Sequence, residues 1–283
     1  MLFKSMVKFK KFLKLSPIFL PLVVFLSCSE TISQAETLLA SKDDKDSPYV
    51  IIDENTKTFT LDLSASRLEK IEKSAFFSLK SRFYQKVNSQ IDVKKSTDQE
   101  KDKKTEPEKI NFYTLKKVIF PESLLEIDDY AFYVDSANLD QNEKIQELDF
   151  SKAMKLRRIG SFAFQGNNIK TLVLPPSITS IGKQAFAKNS LETVDFSQAT
   201  KLETIETGAF FDNKITELDL SKNLILAEIF PGSFETNQIN QVKFNPNSKP
   251  LIIRKSAFKN NVISVDSKLL DLPKNSKLEN IFS

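Results

Sequence analysis

Six phenylalanines recur along this chain at a nearly fixed interval, and this period limits the possible folds more than any other feature. They are separated by 32, 22, 24, 24 and 24 residues, at Phe132, Phe164, Phe186, Phe210, Phe234 and Phe258. Each ends a similar unit, in which an Ile/Leu-x-x-Leu/Val-x-Leu/Phe run precedes a small residue and Phe. Self-similarity at such a period is typical of a solenoid. A solenoid offers an extended binding surface rather than a single chemical pocket.

The copies of the repeat differ in regularity. Five follow one another without a gap, at residues 145–168, 169–190, 191–214, 215–238 and 239–261. A further copy at 115–132 has a longer tail, and an isolated first copy lies at 61–76. The sequence leaves open whether that first copy stacks directly on the next one.

Each unit opens with a short alternating segment, such as Leu148-Asp149-Phe150. Alternation with a period of two predicts a strand that buries one face. Strands at the same point of successive coils predict a parallel sheet, because the rest of each unit supplies the long crossover. A second apolar pair, such as Leu202 and Ile205, and the Ala-Phe pair should face the same core. No unit can bury these residues alone, so its neighbours must cover them.

An asparagine follows the phenylalanine by three residues in five successive units, at Asn167, Asn189, Asn213, Asn237 and Asn261. An amide side chain has two donors and an acceptor. At the same corner of each coil it can satisfy backbone groups that a tight turn leaves unpaired. We therefore expect a structural ladder and assign these residues no role in binding.

The units resemble the BspA-like type of bacterial leucine-rich repeat, in stretches such as LPPSITSIGKQAF and FPESLLEIDDYAF. The resemblance covers roughly Leu115–Val265, with an outlying copy at 58–76. It implies a leucine-rich-repeat solenoid of 22–24-residue repeats, with short parallel strands on the concave face and an irregular or short helical convex side. It also implies a surface-exposed or secreted protein, often engaged in adhesion. That family often has Cys after the Ala-Phe pair, where this chain has Asn.

Residues 1–27 have the pattern of a lipoprotein signal peptide. Five lysines and no acidic residue precede the apolar stretch Leu15–Leu26, which is shorter than the roughly 20 residues of a membrane span and typical of a secretory signal. The segment Phe25-Leu26-Ser27-Cys28 looks like a lipobox, so Cys28, the only cysteine, is the expected lipidation site. The alternative is an ordinary Cys that is lost on cleavage.

Composition excludes several classes of function. The formal net charge of +4 falls to −1 without the five leader lysines, which argues against a nucleic-acid partner. The chain has no His, which excludes His-dependent catalysis and the common zinc sites. Paired carboxylates of a glycosidase are compatible with the composition, but uniform repeats disfavour them. We expect no enzyme activity, no cofactor and no metal.

These patterns predict a domain order. Cys28 and a flexible tether occupy 28–48, an N-terminal cap and the first repeat 49–76, and an insertion 77–114. The insertion combines an amphipathic helix at about Ser78–Ile91, which caps the core or binds a partner, with a disordered charged loop at Lys94–Lys109. The leucine-rich-repeat solenoid follows at 115–267, and a C-terminal cap at 268–283.

The residues between the buried strand positions should point outward. They form two columns on the concave face, the first being Asp149, Val173, Asp195, Asp219 and Lys243, and the second Glu147, Thr171, Thr193, Glu217 and Gln241. Asp62 joins the first column if the isolated copy stacks. The mostly acidic strip either keeps the sheet soluble or receives a basic segment of a partner. Calcium between neighbouring Asp residues is a weaker alternative, since no calcium loop is present.

Two functional hypotheses follow. The first is a monomeric lipoprotein of the bacterial outer membrane and cell surface, which binds an extracellular or host protein of unknown identity through the concave face. The alternative is a lipoprotein on the periplasmic leaflet that acts as a scaffold for envelope assemblies. The sequence does not separate them.

Overall fold

A computed structural model of the chain describes residues 49–53, 55–76, 114–135, 144–263 and 271–283. They all belong to one compact unit, Ser33–Ser283. No helix occurs in these segments, and so none of them holds one that could cross a membrane. The predicted leader 1–27, Cys28, the tether and the helix with its charged loop lie outside the described residues.

Sixteen short strands form the described part of the chain. In chain order they are β1 (Val50–Asp53), β2 (Thr58–Asp62), β3 (Lys70–Ile71), β4 (Thr114–Ile119), β5 (Glu126–Ile127), β6 (Glu147–Asp149), β7 (Arg158–Ile159), β8 (Thr171–Val173), β9 (Ser180–Ile181), β10 (Thr193–Asp195), β11 (Thr204–Ile205), β12 (Glu217–Asp219), β13 (Glu228–Ile229), β14 (Gln241–Lys243), β15 (Ile252–Ile253) and β16 (Lys277–Leu278).

Each of the seven coils up to residue 261 contributes one strand to each of two series, and the last described segment adds β16 to the second series. The first series contains the predicted opening strands, which pair in parallel within the sheets β1-β2-β4-β6, β8-β10 and β12-β14. The second series forms one unbroken parallel sheet of eight strands, β3-β5-β7-β9-β11-β13-β15-β16. The fold is therefore the predicted leucine-rich-repeat solenoid. The sequence predicted one sheet, formed by the opening strands. The continuous sheet is instead formed by two-residue strands that contain the second apolar pair of each unit, such as Thr204–Ile205.

The isolated first copy stacks directly on the copy at 115–132. Strand β2 pairs in parallel with β4, and β3 pairs with β5. The rings of Phe76 and Phe132 stack with centroids 4.6 Å apart and 6° between their planes. Strand β1 pairs antiparallel with β2 and covers the first coil. The first copy is therefore part of the same stack as the copies that follow.

A column of phenylalanine rings runs through the core. All six periodic phenylalanines are buried, at 0–1% exposure. Successive rings are stacked with centroids 5.1–5.6 Å apart and planes within 6–8° of parallel. An offset aromatic pair contributes roughly 0.5–1.5 kcal/mol beyond the burial of its area. Leu202 and Ile205 are also fully buried, which confirms the predicted continuous apolar interior.

The asparagine ladder is confirmed, and Asn213 illustrates its bonding. Its Oδ1 accepts the backbone N–H of Leu191, the first residue of its own coil, at 3.0 Å. Its Nδ2 donates to the carbonyl of Phe210 in its own coil at 3.1 Å and to that of Phe186 in the preceding coil at 2.9 Å. Each side chain therefore closes its own coil and joins it to the one before.

Every coil has one left-handed backbone position before the Ala-Phe pair, and five coils have a second one after it, which the sequence did not predict. Both flank the Ala-Phe pair. The first position lies two residues before Phe and is occupied by Ser74, Tyr130, Phe162, Gln184, Gly208, Gly232, Ser256 and Asn280. The second position lies two residues after Phe and is occupied by Gly166, Lys188, Asp212, Thr236 and Asn260. A non-glycine residue costs about 1–2 kcal/mol there. Hydrogen bonds to the next coil offset this cost, as where the N–H of Lys188 donates to Phe211 at 2.8 Å.

The last described segment extends the second sheet beyond the predicted solenoid boundary. Strand β16 pairs in parallel with β15. The N–H of Phe258 donates to the carbonyl of Ile281 at 2.9 Å, as other ring-column residues donate to the Ala of the following coil. Ile281 therefore occupies the Ala position and is buried, whereas Phe282 is 44% exposed.

Candidate partner-binding face

The first strand series displays the ten predicted partner-binding residues on one face, which we call the strand face. The alternate residues of the strands, such as Leu172 and Leu218, point into the core. In the pairing register, Asp195 lies opposite Val173 and Asp219 lies opposite Lys243. The second column follows the same register, with Thr193 opposite Thr171 and Glu217 opposite Gln241. Asp149 is half-buried, and the other nine residues are exposed.

The strand face also includes coil 115–132, whose residues were not part of the two predicted columns. Lys117 lies opposite Glu147, and Ile119 lies opposite Asp149. Asp62 continues the first column, since it lies opposite Ile119. Aligning LKKVIF with IQELDF places Lys117 and Ile119 at these positions, so the repeat itself carried the signal that was missed.

The acids at this end of the strand face are neutralised by lysines. Lys117 Nζ lies 2.9 Å from Asp149 Oδ2, and Lys116 Nζ lies 3.4 Å from Glu147 Oε1. The hydrogen bond from Ser151, together with the charge of Lys117, lowers the pKa of Asp149 to about 2. Lysine side chains therefore largely neutralise this part of the strip, which the column pattern predicted to be mostly acidic.

The negative charge is concentrated further along, at Asp195, Glu217 and Asp219. None of these three carboxylates forms an ion pair within the described segments. Burial opposes the ionisation of Asp219, but hydrogen bonds from Ser221 and the charge of Lys243 leave its pKa below the usual value. The three carboxylates therefore form the part of the strand face best suited to a cationic group.

The recurring aspartates also shape the turn that ends each strand. Asp195 Oδ1 accepts the backbone N–H of Ser197 at 2.8 Å, and Asp219 Oδ1 accepts that of Ser221 at 2.9 Å. Asp62 and Asp149 make the same bond to Ser64 and Ser151. Such a side-chain turn explains why Asp recurs before Ser, a role that the sequence analysis missed although Asp-x-Ser repeats in four units.

An apolar gap divides the acidic column. Val173, between Asp149 and Asp195, is 58% exposed, and its neighbours in the second column include Thr171 and Thr193. In the described part of the chain, no group of three or more His, Cys, Asp or Glu side chains could hold a metal ion. The strand face can therefore offer hydrogen bonds, charge and a small apolar contact to a partner.

Comparison with known proteins gives two matches. Residues 136–264 match the model of the BspA type leucine rich repeat region, in six copies. A leucine rich cell surface protein from Faecalibacterium prausnitzii A2-165, known from its crystal structure, is 12% identical, over 76% of this chain and 73% of that one, with a TM-score of 0.36. The search of curated proteins gave no significant match.

Proposed function

We propose that this chain, in which residues 136–264 match the BspA-type leucine-rich-repeat model, is a non-enzymatic, surface-displayed module that binds an extracellular or host protein. The partner contacts the strand face, which presents regularly spaced side chains over successive coils. Solenoids use such extended surfaces for recognition.

The observation that carries the proposal is the group of three carboxylates without ion pairs, Asp195, Glu217 and Asp219. Asp195 lies on β10, and Glu217 and Asp219 lie two residues apart on β12 of the next coil. A turn requires only one oxygen of each Asp, so the other oxygen remains available to a ligand. A basic segment of a partner would find complementary charge there, which speeds and selects association.

Attachment to the membrane is part of the same proposal. Cys28 would carry the lipid and residues 29–48 the tether. A single acyl chain binds a membrane only marginally, whereas several chains on one residue give firm attachment. Palmitate labelling of the chain should disappear in Cys28→Ser, and labelling that persists in this variant would contradict the assignment.

Protease treatment of intact cells tests the location. A surface protein is degraded while a periplasmic control protein survives. Survival of the chain under the same conditions would favour the alternative, a scaffold on the periplasmic leaflet that would co-purify with envelope proteins.

Charge reversal tests the binding surface. The double variant Asp195→Lys/Asp219→Lys should capture fewer extracellular proteins than the unmodified chain, with the difference shrinking at high salt. Asp212→Lys/Glu235→Lys is the matched control, because other coils carry Lys188 and Lys259 at these two positions. Equal losses in both variants would show that net charge, not the strand face, governs capture.

A further inference from the structure

A second surface feature arises from unequal coil lengths. The connection between the two strands of a coil has six residues in coil 169–190, from Leu174 to Thr179, but eight in coils 145–168 and 191–214. The shorter connection carries Pro175-Pro176. Across these coils and the one before them, 115–132, the surface forms a hollow of about 360 Å³, lined by Leu125, Lys155, Arg157, Ser177, Thr179 and Lys201. We call it the cationic hollow.

Its three cations are poorly compensated. Neither Arg157 nor Lys201 forms an ion pair within the described part of the chain. Lys155 lies 3.7 Å from Glu122, but their side chains are 60% and 76% exposed, and such pairs contribute little. By contrast, the adjacent Arg158 is bound by Glu126, Asp128 and Asp129.

Among the residues that the structure describes, no acidic side chain lines the hollow. Glu203 follows Thr179 in the column of residues that precedes the second strands, but it does not line the hollow. A depression lined by charges of one sign concentrates the field and attracts counter-ions. The hollow therefore favours an anion.

Two hydroxyl groups on the floor of the hollow further restrict which anion can bind there. Ser177 Oγ donates to the carbonyl of Met154 at 2.6 Å, and Thr179 Oγ1 donates to that of Arg157 at 2.9 Å. Both hydroxyl protons are thus engaged, and the two oxygens can only accept further hydrogen bonds. A ligand must therefore accept from the cations and donate to the floor.

Size and apolar surface add a second restriction. Leu125 is 36% exposed at one side. The volume lies at the lower end of the range for small-molecule sites, roughly 300–1,000 Å³, and a single tetrahedral oxyanion would fill a small part of it. A ligand that fills the hollow would therefore carry its anionic group on a hydroxyl-bearing carbon skeleton.

We propose that the cationic hollow binds a saccharide that carries a sulfate or phosphate ester. Arg157 donates to the ester oxygens as a planar fork, which suits tetrahedral oxyanions, and Lys155 and Lys201 supply the flanking charges. Sugar hydroxyls donate to Ser177 and Thr179, and the sugar ring contacts Leu125. This site is separate from the strand face and does not require the function proposed above.

Calorimetry on the full chain tests the proposal, with a heparin-derived tetrasaccharide and glucose 6-phosphate as ligands. Their desulfated and dephosphorylated counterparts serve as matched ligands.

We expect Arg157→Gln/Lys201→Gln to weaken binding by about tenfold or more, since about 1.4 kcal/mol corresponds to tenfold. Lys188→Gln/Lys214→Gln removes the same charge from exposed turns elsewhere and should change affinity by less than about twofold. Circular dichroism checks that both variants fold, and Lys155→Gln/Lys201→Gln replaces the first variant if it does not.

Several outcomes would overturn the proposal. Neither saccharide ester binds, the desulfated and dephosphorylated counterparts bind equally well, or both double variants lose affinity equally. Inorganic phosphate that binds as tightly as the esters would show that the skeleton is not recognised. Binding to phosphatidylglycerol vesicles that is lost in the Arg157 variant, without saccharide binding, would assign the hollow to lipid headgroups.

Discussion

At the residue scale, a buried asparagine amide in each of four successive coils satisfies backbone groups where the coil closes. Replacing Asn213 by Ala would leave the Leu191 N–H without an acceptor and remove one of two amide donors from the carbonyls of Phe186 and Phe210. We expect a loss of about 2–3 kcal/mol in urea denaturation, because an unsatisfied buried group costs roughly 1–3 kcal/mol. Asn261→Ala, where the side chain is half-buried and water can replace it, should cost less. Equal losses would contradict the ladder as the cause.

Asp149 should make stability depend on acidity. Its pKa in the folded protein, about 2, lies below the usual value of 3.8, so its contribution is present above pH about 4 and is lost as the pH falls towards 2. Because solvent screens this half-buried pair, we expect a loss of only about 1 kcal/mol. Asp149→Asn keeps an acceptor for Ser151 and should lack this step in denaturation curves measured between these pH values. An identical pH profile in the variant would contradict the argument.

At the scale of the element, the ring column should dominate stability. Phe210 packs between the rings of Phe186 and Phe234 and is fully buried. Phe210→Ala should cost roughly 3–5 kcal/mol, as truncation of a buried aromatic residue does. Phe282→Ala removes a ring from the equivalent position where it is 44% exposed, and should change stability by less than about 0.5 kcal/mol. Similar urea midpoints for the two variants would show that the column is not the main support of the fold.

Among the elements, some could be predicted from the sequence and others could not. The opening strands and ring column follow from the period of 22–24 residues and from alternation. The second sheet does not, because strands of two residues such as Thr204–Ile205 are too short to alternate. The left-handed positions carry residues such as Phe162 and Lys188 rather than glycine alone, so they give no glycine signal. On the strand face, the columns followed from alternation, whereas the neutralising Lys117 could have been found by aligning residues 115–120 with residues 145–150.

At the scale of the whole molecule, each coil contacts the coils before and after it, so stability should be a sum of similar units and interfaces. Removal of residues 191–214 takes out one complete coil and joins Ser190 to Ile215. This junction is compatible with the stack, because both neighbours of the deleted coil follow the same register and Asn189 still closes its own coil. We expect the shortened chain to fold, with the same type of circular dichroism spectrum and a lower urea midpoint. The dependence of the unfolding free energy on urea concentration should be smaller by roughly a tenth, in proportion to the surface area lost.

Removal of residues 191–202 alone is the control. It would place connections of one coil beside strands of the next and should abolish the cooperative unfolding transition. A whole-coil deletion that unfolds as completely as the half-coil deletion would show that the coils are not interchangeable units of one stack.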